Sequence, residues 1–427
     1  MSTHTSTTDE LIRRRAQLLG PAYRLFYESA VHLTRGEGAW LFASDGKRYL
    51  DAYNNVACVG HCHPAVVAAL AQQASVLNTH TRYLHTGILD YAECLLATMP
   101  SALSHAMFTC TGSEANDLAL RIAQAHTQAE GVIVTNFAYH GVTASLAQAS
   151  PSLGKFVQLG HAVRTVPAPD SLRIAPKRLA TVFADGVRQA IADLQANGLR
   201  PAALLVDTVF SSDGVFTDPA GFLTEAVKVI RAAGGVFIAD EVQPGLGRTG
   251  DHFWGFARHQ IVPDIVTMGK PLGNGHPLAG IAVKPEILAA FTQQCRYFNT
   301  FGGNPVSMAV GMAVLEVLEK EQLMLNAKQV GNYLRQELQT LKTRHDLIAD
   351  VRGAGLFIGV ELVTDRTTLA PATTLAARTV NQMREAQVLL GTSGEYANIL
   401  KIRPPLVFSK EQADQLVQTL DAVLTRL

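Results

Sequence analysis

Cysteine is scarce and unpatterned in this chain. Five occur in 427 residues, at Cys58, Cys62, Cys94, Cys110 and Cys295; an odd number without paired spacing excludes a disulfide framework and agrees with reduced thiols. An excess of charge is also missing. Thirty-six basic and thirty-six acidic residues cancel, so nothing in the overall balance points to nucleic acid or to a membrane surface. Long hydrophobic runs are absent too: each breaks well short of the ~18 residues that a membrane span needs, and the first twenty residues lack the apolar core of a signal peptide. These absences leave a metabolic enzyme of the cytoplasm acting on a small molecule as the expectation. The only biased tract is Ser/Thr-rich residues 1–9, expected to be mobile, followed by Arg13-Arg14-Arg15 on the polar face of a first helix.

What is present is apolar mass, 48% of the residues, enough at this length for two domains with sizeable cores. Residues 39–42 and 48–50 flank Ser44-Asp45-Gly46-Lys47, and an Asp-Gly turn between apolar runs predicts a hairpin. Val66, Val67, Leu70 and Ala74 mark a helix. Cys58, His61, Cys62 and His63 are too compressed for a zinc site, since adjacent residues seldom converge on one ion and no second ligand pair follows. Residues 245–250 spell G-x-G-x-x-G, but no helix-patterned segment follows to receive a pyrophosphate, so no dinucleotide site is expected.

The chemistry gathers further on. Residues 106–109 read as a strand, after which Thr111-Gly112-Ser113 opens a helix over 114–125 with Ser113 as the candidate cap. A helix start offers unpaired N–H groups, and Gly112 lets a phosphate approach closely. Residues 236–239 and 265–268 read as short buried strands, each delivering one ionisable residue near its C-terminal end, Asp240 and Lys270. Ligands of open α/β sheets sit at that edge. An acid and a lysine there suit pyridoxal 5'-phosphate, whose aldehyde forms a Schiff base with the lysine while the acid keeps the pyridine nitrogen protonated. Later apolar spacing predicts long helices after Pro305, a strand over 355–362, a helix over 376–385, a strand over 398–402 and a closing amphipathic helix; Met308, Met312 and Met324 are expected to fill the core.

These residues also carry a family resemblance. Asp240-Glu241-Val242-Gln243, Gly247-Arg248-Thr249-Gly250, residues 267–275 around Lys270, Thr111-Gly112-Ser113-Glu114-Ala115-Asn116, Tyr139-His140-Gly141 and Asn299-Thr300-Phe301-Gly302-Gly303-Asn304-Pro305 resemble the class III aminotransferases, a fold-type-I pyridoxal phosphate family. The resemblance implies an α/β fold: a large, mostly parallel-sheet cofactor domain over 55–303 with helices on both faces, and a small α/β domain from residues 1–54 and 304–427. It implies cofactor contacts from Thr111, Gly112, Ser113, Tyr139, His140, Asp240, Val242, Gln243 and Lys270, with Tyr139 over one ring face and Val242 against the other. Thr300 is implied to reach the cofactor phosphate of a neighbouring subunit, so a homodimer with shared sites is expected, free to pair further into a tetramer. Asn55 and Arg82 match stretches near the substrate, where Arg82 would either bind an anionic group or form a structural salt bridge.

Departures from the family pattern concern the substrate. Dicarboxylate-using members have a Glu-Pro pair where this chain has Asp207-Thr208, a second glutamate at Ser212, and a partner arginine at Lys401. Stretches around Asn55, Arg82, His276, Phe357 and Lys401 are similar to the ethanolamine-phosphate phospho-lyase and alanine-glyoxylate aminotransferase 2-like subgroup. The resemblance therefore implies β-elimination on an amino-phosphate or amino-phosphonate such as O-phosphoethanolamine, with Lys401, Arg403 and Arg82 as cations for its anion; alternatively Lys401 and Arg403 are surface charges on a strand end. An aminotransferase passing an ω-amine to pyruvate or another keto acid, and a non-catalytic protein that kept the fold, stay open at this point.

Overall fold

The computed structural model describes residues 7–427. Most of the Ser/Thr-rich tract lies outside the described residues, but its end is ordered differently from the expectation. The Thr7 hydroxyl accepts the Glu10 amide, and Asp9 already sits in the first turn of the helix Thr8–Leu19, where acidic side chains favour the positive helix end. That helix carries Arg13-Arg14-Arg15 and buries no residue.

Three strands follow, β1 (Leu33–Glu37), β2 (Trp40–Ala43) and β3 (Arg48–Asp51), forming an antiparallel meander in which Trp40 faces Leu50. The expected hairpin turn forms because Gly46 takes φ +84° without a Cβ to obstruct it. Strand β1 was not foreseen; Leu-Thr-Arg-Gly-Glu has no apolar alternation and owes its pairing to β2.

The central sheet holds β4 (His105–Thr109), β5 (Gly131–Thr135), β6 (Val163–Val166), β7 (Pro201–Asp207), β8 (Val236–Asp240), β9 (Ile265–Met268) and β10 (Ala279–Val283), in spatial order β4-β10-β9-β8-β7-β5-β6. Only β10 runs against its neighbours. Side chains alternate across the sheet. Val236 and Ile238 pack into a core with Ala115, Leu118 and Ile122 of the helix Gly112–Thr127, while Phe237 and Ala239 join one with Phe183 of Pro176–Ala196 and Ile230 of Leu223–Ala232. Helices thus cover both faces, which is why β8 is buried along its whole length. The parallel register pairs Asp207 with Asp240 and Asp240 with Thr267, aligning these strand ends along one edge.

After the helices Pro305–Lys320 and Leu323–Arg344 come β11 (Ile348–Ala354), β12 (Phe357–Asp365), β13 (Ala370–Pro371), β14 (Val388–Leu389), β15 (Gly391–Ser393) and β16 (Ile399–Ile402). All but β14 form an antiparallel sheet; β14 instead pairs in parallel with β3, bringing the two parts of the chain together. The strand expected from 355 begins only at Phe357, because Gly355 at φ +54° and Leu356 make the turn from β11. Met308 is buried as expected, but Met324 is 37% exposed and fills no core. Helix Lys410–Thr425 closes the chain behind a Ser409 capping box. Among the described residues no helix is long and apolar enough to cross a membrane.

Candidate active site

The edge where β7, β8 and β9 end borders a cavity of about 190 Å³ lined by Gly112, Ser113, Asn116, Tyr139, His140, Gly141, Asp240, Val242, Gln243 and Lys270. Asp240 is 4% exposed. Its Oδ2 accepts from Asn116 Nδ2 at 2.9 Å and lies 2.7 Å from His140 Nδ1, and its Oδ1 accepts the Val242 amide at 3.0 Å. Burial alone would raise this carboxyl, but the hydrogen bond and charge of His140, with the Val242 and Asn116 donors, hold it below its ordinary value. An anion is therefore maintained in a buried place.

Lys270 follows β9 after Gly269, at φ +24° in a short 3-10 turn, Lys270–Gly273. That backbone conformation is strained for an L-residue, and such strain persists only where the surroundings over-determine it. Burial first, then the charge of Arg403, push the ammonium down to about 8 against the pull of Asp240 and Asp207. Its Nζ stands 5.9 Å from the centroid of the Tyr139 ring.

Across the cavity the helix Gly112–Thr127 presents its N-terminus. The cap is Thr111 rather than Ser113: Thr111 Oγ1 accepts the Glu114 amide at 3.1 Å while Glu114 Oε2 accepts the Thr111 amide at 2.9 Å. Thr111 is thereby exposed and its side chain committed outside the cavity lining. Ser113 Oγ accepts from the Val142 amide. A Cβ on Gly112 would meet Val242 at 3.0 Å, and one on Gly141 would meet Ser113 Oγ at 2.7 Å. The cradle is therefore bare backbone. Amide donors at a helix start, an aromatic ring, an ionised carboxylate and a buried amine around one cavity match the phosphate, ring, ring nitrogen and aldehyde of pyridoxal phosphate.

Gln243 leads toward a second group of residues. Its Nε2 donates to Ser211 Oγ and its Oε1 accepts from Arg403 Nη1; the same Nη1 reaches Asn55 Oδ1 at 3.2 Å, and Asn55 Nδ2 donates to the Gln243 carbonyl at 3.3 Å. Arg403 lies 4.5 Å over the Tyr53 ring, and its Nε is buried without a partner. Lys401 is 6% and Arg403 7% exposed, so the alternative of surface charges does not hold. On β16, Lys401 is flanked in register by Gly359 and Gly391, which leave its side chain room. Burial, then Arg403 and Lys270, drive the Lys401 ammonium well below its ordinary value, opposed by Asp207 and Asp213.

Two expected contacts lie elsewhere on the chain. Arg82 is exposed, with its guanidinium 3.9 Å above the Phe298 ring and no ion pair among the described residues. Thr300 is exposed beside Phe301, itself 69% exposed. The loop histidines are engaged locally: His61 Nε2 lies 2.7 Å from Asp51 and His63 Nε2 2.9 Å from Glu321. Asn116 and Thr267, by contrast, stand at the centre of the site although no role was assigned to them from sequence.

A sheet-edge lysine and acid around an anion cradle define a pyridoxal phosphate enzyme of fold type I. The chain belongs to the class III aminotransferase family, whose model matches residues 26–424; pyridoxal 5'-phosphate is its cofactor. It is 40% identical to an alanine–glyoxylate aminotransferase 2-like protein of Drosophila melanogaster, over 96% of this chain and 85% of that one. Identity to ethanolamine-phosphate phospho-lyase homolog 1 of Caenorhabditis elegans is 36%, over 98% of this chain and 93% of the relative. Among solved structures, a phospholyase from Arthrobacter in complex with phosphoethanolamine superposes with a TM-score of 0.94 at 43% identity, covering 98% of this chain and all of that one.

Proposed function

We propose that this enzyme is a lyase that carries out β-elimination on a small terminal amine bearing a phosphate or phosphonate, releasing phosphate where the substrate is a phosphate ester such as O-phosphoethanolamine. One observation carries the reading. Lys401 and Arg403 are buried near Lys270, and among the described residues neither has a carboxylate within ion-pair distance. Buried cations without a counter-anion are costly unless a ligand supplies one, and a phosphate brings up to two charges and three strong acceptor oxygens. The similarity to a phospholyase solved with phosphoethanolamine supports the same substrate class.

When bound, pyridoxal phosphate supplies an aldehyde that condenses with a primary amine and a ring that accepts the electron pair left when a proton leaves the neighbouring carbon. The chain's residues do the rest. Gly112 and Ser113 would hold the cofactor phosphate at the helix start beside the Thr111 cap, and Tyr139 and Val242 would flank the ring; His140 braces Asp240 and Gln243 braces Arg403. Asp240 keeps the ring nitrogen protonated. Lys270 Nζ takes the proton from the substrate carbon that bears the amine, a transfer favoured by its titration near neutrality. Asn55, Lys401 and Arg403 fix the far end of the substrate. Thr300, on an exposed edge with Phe298 and Phe301, reaches the partner's cofactor phosphate in a homodimer that is free to pair into a tetramer. The enzyme is cytoplasmic, and its domains divide at 54/55 and 303/304.

A second reading rests on the same cations, which would equally hold the carboxylate of pyruvate or another keto acid in an ω-amine aminotransferase. The test is incubation with O-phosphoethanolamine, and separately with an amino-phosphonate, without keto acid, following phosphate, ammonia and aldehyde. Release of all three from the phosphate ester supports elimination. If neither compound reacts while a simple ω-amine with pyruvate yields alanine, the enzyme is an aminotransferase.

A further inference from the structure

We infer that Asn116, set in place by Thr267, is a positioning residue that orients the Asp240 carboxylate and leaves it a single open acceptor position for the cofactor's ring nitrogen. Asn116 is 1% and Thr267 0% exposed. The Thr267 hydroxyl donates to Asn116 Oδ1 at 2.6 Å, and Asn116 Nδ2 donates both to Asp240 Oδ2 at 2.9 Å and to the His140 carbonyl at 2.8 Å. Two acceptors on one side settle which end of the amide is nitrogen: turned over, Oδ1 would face a carboxylate and a carbonyl. All donors then point one way, from threonine through asparagine to aspartate, an order in which each bond strengthens the next.

The count of lone pairs makes the consequence specific. An ionised carboxylate offers about four acceptor positions. Asn116 Nδ2 and His140 Nδ1 occupy Oδ2, and the Val242 amide takes one position on Oδ1. One remains, on Oδ1, in a residue that lines the cavity. Without Asn116, Oδ2 regains a free position and the carboxylate can rotate about its last bond. Asn116 is on the helix that opens with Gly112 and Ser113, and Thr267 is opposite Asp240 in the β8–β9 register. Anion cradle, ring acid and the lysine strand are thus joined through one amide. The role is the same whichever leaving group the substrate carries.

The test uses Asn116→Ala, Thr267→Val, which keeps the shape and removes the hydroxyl, and Thr267→Ser, which restores it. Asn116→Ala should lower kcat by about 10- to 100-fold, the range seen when outer partners of a reactive group are removed, with KM changed less than about threefold. Thr267→Val should show a smaller loss in the same direction, and Thr267→Ser should recover it. Two readouts do not depend on turnover. In the cofactor-free protein the carbon-13 resonance of the Asp240 carboxyl should titrate at higher pH in Asn116→Ala and Thr267→Val, and the dissociation constant for added pyridoxal phosphate should rise. If Thr267→Val loses thermal stability alone, with kcat, cofactor affinity and the Asp240 titration at wild-type values, Asn116 is merely an anchor between helix and sheet and the inference fails. Should Asn116→Ala not fold, the Thr267 pair decides by the same readouts.

Discussion

Asp207 and Asp240 are register partners at the ends of adjacent parallel strands, yet their surroundings drive them in opposite directions. Burial and the Asp240 charge raise the Asp207 carboxyl, with only its own loop donors, Ser211 and Val209, to offset them. Asp240, with less of its surface exposed than Asp207, is held low by His140 and its amide donors. Neighbouring acids pushed apart in this way divide their roles: Asp240 faces the cavity, while Asp207 is an electrostatic support for Lys270 and Lys401.

Asp207→Asn should therefore move the Lys270 titration below its value of about 8, since it removes a charge that favours the ammonium. Amine labelling of the cofactor-free enzyme across pH would show the shift. An unchanged or higher titration would contradict the support role.

Lys270 itself makes stability depend on pH. Its folded value of about 8 lies below the ordinary 10.5, so between those limits the unfolded chain binds the extra proton and stability rises with pH. The cofactor-free protein should gain about 3 kcal/mol from this residue across that window. Lys270→Ala should flatten this part of the profile, abolish turnover and remove the absorption band of the lysine–cofactor imine. An imine band persisting in the purified variant would show that another amine holds the cofactor.

Lys401 and Arg403 should trade stability against recognition. Lys401→Met removes a buried amine that has no ion-pair partner and whose charge burial and Arg403 disfavour, and the free enzyme should melt higher. The same variant, or Arg403→Ala, should raise KM for a phosphate-bearing amine by an amount corresponding to about 2–5 kcal/mol. Steady-state kinetics beside calorimetry distinguishes this from general damage, which would lower both.

Thr300→Ala should weaken cofactor binding by roughly 1–3 kcal/mol, the size of a lost charge-assisted hydrogen bond to a buried phosphate. Dilution to monomer should release cofactor from the wild type as well. Full retention in a verified monomer would mean that each site is built from one chain.

The ends of β8 and β9 were legible because an apolar run that stops at an ionisable residue is a local signal. So was the Thr111 cap, in the spacing Thr111-x-x-Glu114, although the Ser113 hydroxyl drew the assignment two residues along. The bond from Asn116 to Asp240 spans 124 residues of sequence and has no local trace. Burial of Lys401 and Arg403 was equally hidden, since a charged residue alternating with isoleucine along a strand normally faces water; only the flanking glycines of two other strands reveal the space that Lys401 occupies. Strand β1 had no pattern of its own and exists through its neighbour.

The reversed strand β10 imposes a timetable on synthesis. A ribosome releases the chain from its amino end, and β4, which leads into the phosphate cradle, has no sheet partner until residues 279–283 emerge to fill the gap between it and β9. A nascent chain stalled before that point carries two open strand edges able to capture copies of themselves. The strand leading into the phosphate cradle is thus tied into the sheet only after the lysine itself has been made.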